Sequence, residues 1–308
     1  MKTITIATRK SRLALWQTEH VAASLSRLNP DIEVRTLPLS TRGDEILDRS
    51  LAEIGGKGLF LKELEKALLD GRADVAVHSL KDVPAEKPDR LELGAFLPRA
   101  NSADLWISDQ GVPIAQLPRG SRVGSSSLRR ISQLRAIRPD LEVVALRGNV
   151  ETRLAAVREH RVDATVLAAA GLERLDVVPP SALALDVAEW LPAPGQGIIT
   201  VQQRAGDEET ARLIASLACA RTTAQARAER EVVRVLGGDC RMPLAAHAWV
   251  DGDRLRLRAR LGDESGRLID AVSEGMCDHA VEIGAEAARG LLDSGGAELL
   301  DRLDMSQS

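Results

Sequence analysis

The order of short apolar segments and amphipathic segments constrains the fold of this chain more than any other feature. Strands are predicted at residues 3–7, 32–39 and 73–80, and the two intervening segments carry apolar residues at helical spacing. Ser11 is placed to cap the first of these helices. This β-α-β-α-β order is typical of an α/β protein with a parallel, doubly wound sheet.

The same order restarts after about Arg99 and predicts a second α/β lobe. Strands are expected at residues 122–124, 142–146 and 164–170, and helical patterns follow the first two of them. Two lobes of similar build in one chain suggest that they face each other across a cleft. A cleft of this kind is a common place for a ligand.

The pattern changes again from about Arg221. A helix, for which Thr222 and Gln225 form a potential capping box, is followed by three alternating segments and a final helix at residues 279–292. This order predicts a small α+β domain with an antiparallel sheet.

Composition excludes several classes of protein. The 308 residues are 44% hydrophobic and 28% charged, as in ordinary globular proteins. No apolar run approaches the roughly 18–20 residues of a membrane helix, and no secretory signal is recognisable, so we expect a cytoplasmic protein without a membrane partner. The net charge of 41 − 45 = −4 does not favour nucleic-acid binding. Three cysteines without a CxxC pair and five scattered histidines argue against a metal.

Basic and hydroxyl residues recur where the predicted strands end. They lie at residues 8–11, 81–82, 125–130 and 147–153. In open parallel sheets, ligands bind beyond the carboxyl ends of the strands, and guanidinium groups and helix N-termini favour anions. The sequence therefore predicts a site for a small ligand that carries several carboxylates or phosphates.

Two further residues are candidates for chemistry. Asp82 is a single carboxylate in this basic setting, suited to acid–base work or to stabilising a cation, although it could instead cap a turn or pair with Lys81. Cys240 follows Gly237 and Gly238 in a break between helix and strand, where a thiol could be reactive or could be a small core residue.

The motifs at these positions resemble those of the porphobilinogen deaminase family. They occur in the family's order between residue 4 and about residue 250, and the C-terminal part resembles the family more weakly. The matching segments are IATRKSRLALWQ, TRGDEILD, GGKGLFLKELE, HSLKDVP, SSLRR, LRGNVETRL, LPAPGQG and GGDCRMPLAAHA.

The resemblance implies a three-domain enzyme whose first two domains are like the lobes of a periplasmic binding protein. Domain 1 would comprise residues 1–98 and 196–217, domain 2 residues 99–195, and domain 3 residues 218–308. The implied reaction condenses four porphobilinogen molecules head to tail, with loss of ammonia, into hydroxymethylbilane. The implied cofactor is a dipyrromethane held by a thioether to Cys240, and a monomer is expected.

The resemblance also assigns roles to residues at the strand ends. Asp82 would be the catalytic carboxylate, because loss of ammonia leaves a cationic azafulvene. The residues expected to hold the cofactor, besides Cys240, are Lys81, Ser125, Ser127, Arg129 and Arg130. The residues expected to bind incoming and growing pyrroles through their acetate and propionate groups are Arg9, Ser11, Arg147, Arg153 and Arg174. No metal is implied.

Other expectations concern the surroundings of the site. The glycine-rich segment 43–58 is expected to cover the cleft, with Phe60 near the pyrroles. Asp239 precedes Cys240 where glycine is expected, and its negative charge should raise the pKa of the thiol.

The alternative function is that of a non-catalytic, two-lobed protein that binds a small anion. Such a receptor usually carries an export signal, and a regulator carries a DNA-binding helix-turn-helix, and neither is recognisable in the sequence. This alternative also gives no role to Cys240 or to the third domain.

Overall fold

The computed structural model describes residues 2–40, 61–85, 88–237 and 242–307, and for residues 303–307 it describes the backbone. Several of the expectations above fall on other residues: the covering segment 43–58, Phe60, Asp239 and Cys240 lie outside the described residues.

In the described part of the chain, the strands and helices alternate along most of the sequence. The strands are β1 (Lys2–Arg9), β2 (Ile32–Leu39), β3 (Val75–Ser79), β4 (Leu91–Phe96), β5 (Asp104–Ser108), β6 (Arg122–Gly124), β7 (Glu142–Val144), β8 (Ala164–Ala168), β9 (Leu183–Ala184), β10 (Ile199–Arg204), β11 (Leu244–Asp251), β12 (Arg254–Gly262) and β13 (Leu268–Met276). The helices are α1 (Arg12–Leu28), α2 (Lys62–Leu69), α3 (Leu128–Ile137), α4 (Val150–Arg158), α5 (Ala169–Arg174), α6 (Glu208–Ala215), α7 (Ala220–Val235), α8 (Ala280–Leu291) and α9 (Ala297–Gln307).

The chain divides into two compact units. Unit 1 comprises residues 1–100 and 197–223, and unit 2 comprises residues 101–196 and 224–308. Unit 2 contains two separate sheets, and the boundary at residue 223 falls within α7. The three domain ranges inferred from the sequence stay a prediction.

Unit 1 is built on a five-stranded sheet in the order β2-β1-β3-β10-β4. β1 is parallel to β2 and β3, whereas β10 runs antiparallel to both of its neighbours. Ile4 and Ile6 of β1 pack with Val21 and Leu25 of α1 in the core. This packing explains the helical spacing of apolar residues in α1, since one face of the helix covers the sheet.

The turn between β1 and α1 agrees with the prediction from sequence. Ser11 has an extended backbone and its Oγ accepts a hydrogen bond from the Ala14 N–H at 3.3 Å, which confirms it as the N-cap. The carboxyl end of β1 is thereby joined directly to a helix N-terminus.

Unit 2 begins with a second five-stranded sheet, in the order β7-β6-β8-β5-β9. β6 is parallel to β7 and β8, and β5 is antiparallel to β8 and β9. Trp106, Val123 and Val166 form the centre of its core. Each lobe thus contains an antiparallel strand that the sequence pattern did not predict.

The remaining part of unit 2 is a three-stranded antiparallel sheet, β11-β12-β13, that packs against α7 and α8. Together with the two α/β sheets, it confirms the predicted fold class of two α/β lobes and a small α+β domain. The capping box was wrong. α7 begins at Ala220, so Thr222 and Gln225 lie inside the helix, where Thr222 Oγ1 accepts from the Arg99 N–H and Gln225 donates to the Ala248 carbonyl.

Candidate functional site

An open pocket lies in unit 1 beyond the carboxyl ends of β1 and β3. It brings together three of the residues selected from the sequence, Arg9, Ser11 and Asp82. Arg9 ends β1, Ser11 caps α1, and Asp82 closes the short turn Leu80–Asp82 after β3. The remaining lining residues are Leu13, Ala14, Gln17, Leu61, Val77, His78 and Ser79.

Asp82 is the acidic residue among the described residues that line this pocket. Its side chain is exposed, and within the described ranges its carboxylate accepts no hydrogen bond and forms no ion pair. The alternative in which Asp82 serves to pair with Lys81 therefore has no support in the described structure. A carboxylate in this position can meet a cationic or N–H-bearing ligand.

The floor of the pocket is polar and was not predicted from the sequence. Gln17 on α1 is buried and donates through Nε2 to Ser79 Oγ at 2.8 Å. His78, also buried, forms a hydrogen bond of 3.0 Å between Nε2 and Gln202 Oε1, and Gln202 Nε2 donates to Glu65 Oε1. The position of His78 and Ser79 at the end of β3, three to four residues before Asp82, was the signal that could have identified them.

Burial gives His78 a pH-dependent effect on stability. Loss of solvation, aided by the charge of Arg9 and opposed by the hydrogen bond with Gln202, lowers the pKa of His78 to about 4. The unfolded chain binds this proton near pH 6.5, so stability falls as the pH drops from about 6.5 towards 4.

We therefore expect His78→Gln to remove this contribution to the pH dependence of stability. In the natural protein His78 should lower the free energy of unfolding by about 2 kcal/mol between pH 7 and pH 5. Glutamine keeps an N–H donor for Gln202 but does not titrate. Urea unfolding of both proteins at the two pH values measures the difference, and equal losses would show that His78 does not titrate as described.

In unit 2, the residues predicted to hold the cofactor lie where β6 leads into α3. Ser125 is buried and its Oγ accepts from the Ser127 N–H at 3.2 Å, while Ser127 directly precedes the first residue of α3. The first turn of α3 carries Arg129 and Arg130. Hydroxyl groups, helix N–H groups and two guanidiniums are therefore concentrated at one strand end.

Arg129 and Arg130 are both buried and both bind Asp104, the first residue of β5. Arg129 Nη1 lies 2.9 Å from Asp104 Oδ2, and Arg130 Nη2 lies 2.7 Å from Asp104 Oδ1. Burial lowers the pKa of Arg129, and Asp104 opposes this effect. Two guanidiniums face one carboxylate, so the cluster carries a net positive charge that an anionic ligand would balance.

The other predicted arginines of unit 2 lie in the segments that follow the next two strands, β7 and β8. Exposed Arg147 precedes Gly148, whose φ of 108° favours glycine, and Asn149, which caps α4 by accepting from the Thr152 N–H. Half-buried Arg153 lies in the first turns of α4. Arg174 ends α5, and burial, opposed by Glu173, lowers its pKa to about 10.

Lys81 is half-buried beside Asp82 in unit 1. Over the described ranges, no group of three or more histidine, cysteine, aspartate or glutamate side chains could hold a metal ion. Among the same residues, no helix is both long and apolar enough to cross a membrane.

Two α/β lobes with basic and hydroxyl side chains at their strand ends define a class of two-lobed proteins suited to small anionic ligands. A family model described as "Porphobilinogen deaminase, dipyromethane cofactor binding domain" matches residues 4–212, and a second, "Porphobilinogen deaminase, C-terminal domain", matches residues 223–293. The chain belongs to the porphobilinogen deaminase family, which makes it an enzyme of the transferase class.

Curated relatives give the same result over nearly the full chain. A porphobilinogen deaminase from Xanthomonas oryzae pv. oryzae (strain PXO99A) is 53% identical over 304 residues, covering 98% of this chain and 100% of the relative. One from Stenotrophomonas maltophilia (strain K279a) is 51% identical over 302 residues, with the same coverage. The resemblance seen in the motifs is confirmed, and the non-catalytic alternative is not favoured.

Two solved structures that align with the chain have low sequence identity to it. The ligand-binding component of an ABC-type import system from Staphylococcus aureus aligns with a TM-score of 0.43 and 12% identity, over 76% of this chain and 78% of that one. The periplasmic VFT2 domain of BvgS from Bordetella pertussis aligns with a TM-score of 0.42 and 17% identity, over 70% of this chain and 86% of that one.

Proposed function

We propose that the protein joins four porphobilinogen molecules head to tail, releasing ammonia, on a dipyrromethane bound through a thioether to Cys240. One water molecule then releases the chain as hydroxymethylbilane. The observation that carries the proposal is the unit 1 pocket, in which the Asp82 carboxylate lies among Arg9 and Ser11. This arrangement suits a substrate with both an amine-bearing carbon and two carboxylates.

The residues of unit 2 fit the dipyrromethane chemically. Its acetate and propionate groups are anions, and the Arg129–Arg130–Asp104 cluster has one positive charge in excess. Hydroxyl donors from Ser125 and Ser127 complete the set. When bound, this group supplies the pyrrole carbon to which the first substrate is joined. Lys81, Ser125, Ser127, Arg129 and Arg130 would hold it, and Cys240, which lies outside the described residues, would anchor it.

Asp82 is the catalytic carboxylate in this proposal. As porphobilinogen loses ammonia, positive charge develops on the substrate, and a carboxylate at hydrogen-bond distance stabilises that charge and accepts a pyrrole N–H. The absence of a hydrogen-bond donor to Asp82 among the described residues supports the proposal, because a ligand does not have to displace a protein partner.

The remaining arginines bind the carboxylates of substrate and product. Arg9 and Ser11 line the unit 1 pocket, and Arg147, Arg153 and Arg174 lie in the segments that follow β7 and β8 in unit 2. Guanidinium groups bind carboxylates through two parallel hydrogen bonds, so they select a ligand by its acidic side chains.

The arginines assigned to the cofactor and those assigned to the substrate should differ in the effect of their replacement. Arg129→Gln should prevent cofactor assembly, whereas Arg147→Gln should retain the cofactor and slow chain elongation by about 10- to 100-fold, the effect of one hydrogen bond to a charged group. Intact mass before and after incubation with porphobilinogen separates the outcomes. Thermal stability does not, since Arg129→Gln also breaks a buried ion pair. A dipyrromethane mass on Arg129→Gln, or none on Arg147→Gln, would contradict this division.

The activity is tested directly with the purified protein. It should give the colour reaction of a bound dipyrromethane with Ehrlich's aldehyde reagent and convert porphobilinogen to hydroxymethylbilane with release of four ammonia molecules. A colourless protein that binds porphobilinogen without consuming it would instead be a binding protein.

A cytoplasmic monomer that acts on a small molecule, without nucleic acid or membrane, is part of the same proposal. The free thiols of Cys219 and Cys277 fit a reducing compartment. Sedimentation of the purified protein over a range of concentrations tests the monomer, and a dimer mass would overturn that part.

A further inference from the structure

Asp104 occupies an unusual place for a carboxylate. It is fully buried at the first position of β5, and its backbone is fixed by pairing with Ala168 of β8 and by the hydrogen bond from the Leu185 N–H to its carbonyl. A buried charge of this kind is costly unless it is paired and hydrogen-bonded. Its partners therefore indicate why it is there.

Five N–H donors from four side chains surround the Asp104 carboxylate. Oδ2 accepts from Arg129 Nη1, Arg130 Nε and Trp190 Nε1, and Oδ1 accepts from Arg130 Nη2 and Gln196 Nε2, at 2.7–3.1 Å. A carboxylate has about four lone-pair sites. Asp104 is therefore saturated by protein donors and cannot also bind a ligand or transfer a proton.

The two guanidiniums are held differently. Arg130 presents Nε and Nη2 to Asp104 as a two-pronged fork, and Arg129 uses Nη1, which also donates to the Leu191 carbonyl at 2.8 Å. Within the described part of the chain, Nε and Nη2 of Arg129 and Nη1 of Arg130 have no protein acceptor. The carboxylate thus fixes each planar group while leaving N–H donors for an anion.

The partners of Asp104 are themselves anchored to the C-terminal part of unit 2. Gln196 follows Gly195, whose N–H donates to Glu229 Oε2 of α7 at 2.6 Å, and Glu229 Oε1 accepts from the Ala248 N–H of β11. α7 ends at Val235, five residues before Cys240 in the sequence. The helix that leads to the proposed anchor also holds the segment that supports Asp104.

We propose that Asp104 is a positioning residue, whose carboxylate fixes the guanidinium groups of Arg129 and Arg130 in the orientation in which they hold the dipyrromethane. The proposal rests on the proposed function of the two arginines. It assigns to Asp104 no contact with the substrate and no part in proton transfer.

The charge and the length of the side chain can be tested separately. In Asp104→Asn the neutral amide leaves two buried guanidiniums facing each other, and in Asp104→Glu the charge stays but the guanidiniums are displaced. A displacement of about 1 Å can cost about 10²-fold in rate. We expect the cofactor-bearing fraction, measured by intact mass, and kcat/KM to fall in both variants, and to fall less in Asp104→Glu.

Asp140→Asn is the matched control. Asp140 pairs with Arg138 at 2.7 Å, just after the C-terminal end of α3, the helix that carries Arg129 and Arg130. Neither Asp140 nor Arg138 is among the residues assigned to the site. Loss of the Asp140 carboxylate should lower the melting temperature and leave the cofactor-bearing fraction at the natural level. This comparison separates positioning from a contribution to stability alone.

Each outcome decides the proposal. If folded Asp104→Asn and Asp104→Glu carry the dipyrromethane as fully as Asp140→Asn and lose only melting temperature, Asp104 is structural and the proposal is wrong. If Asp104→Asn does not fold, Asp104→Glu and Trp190→Phe, which removes one donor to Oδ2, serve the same comparison. If the natural protein itself carries no dipyrromethane, the proposed function fails first, and the role of Asp104 fails with it.

Discussion

Replacement of Asp82 by asparagine should reduce kcat by about 10²–10³ or more, the usual effect of removing one electrostatic contact to a transition state. The amide keeps the shape of the side chain and loses the charge that stabilises the cationic substrate. Because the Asp82 carboxylate has no protein partner among the described residues, the fold and the bound cofactor should be retained. Single-turnover kinetics, circular dichroism and intact mass measure these three quantities.

Asp89→Asn provides the control for Asp82→Asn. Asp89 is an exposed carboxylate of the same unit, seven residues further along the chain, and it does not line the pocket. The Asp89→Asn protein should turn over porphobilinogen at the natural rate. Near-normal turnover by a folded Asp82→Asn protein would remove Asp82 from the mechanism.

Replacement of Cys240 by serine should abolish both the covalent addition and the activity. A serine hydroxyl is a far weaker nucleophile than a thiolate near neutral pH, so the dipyrromethane should not become attached. Without the anchored group, no chain can begin. Intact mass and porphobilinogen consumption measure the two losses.

Cys219→Ser and Cys277→Ser are the matched controls, and both should keep the addition and the activity. Cys219 is the more stringent of the two. Hydrogen bonds from the hydroxyl and the backbone N–H of Thr222 lower the pKa of its half-buried thiol, which makes it a plausible rival nucleophile. Loss of the addition in Cys219→Ser, with an active Cys240→Ser, would reverse the assignment.

The strand-end cluster of unit 1 could be predicted because its determinants are local in sequence. The apolar pattern of β1 is followed at once by Arg9 and the N-cap Ser11, and β3 is followed by Lys81 and Asp82. Parallel neighbours in a sheet bring such segments together. The structure accordingly brings Arg9, Ser11 and Asp82 to one pocket.

The support of Arg129 and Arg130 could not be predicted in the same way. Asp104 begins a buried strand and contradicts the apolar pattern expected of one, and its burial is explained only by arginines 25 and 26 residues further along. β10 is similar, because its buried Gln202 is satisfied by His78 and Glu65, which are distant in sequence. Buried polar residues of this kind depend on partners that no local pattern reveals.

The central claim is that Cys240 carries two pyrrole units in the active protein. Trypsin separates the three cysteines, since residues 213–221 contain Cys219, residues 235–241 contain Cys240 and residues 268–289 contain Cys277. The protein's intact mass should exceed the sequence mass by one dipyrromethane, and mass spectrometry of the digest should find that addition on peptide 235–241. An active preparation in which peptide 235–241 has only its sequence mass would contradict the account.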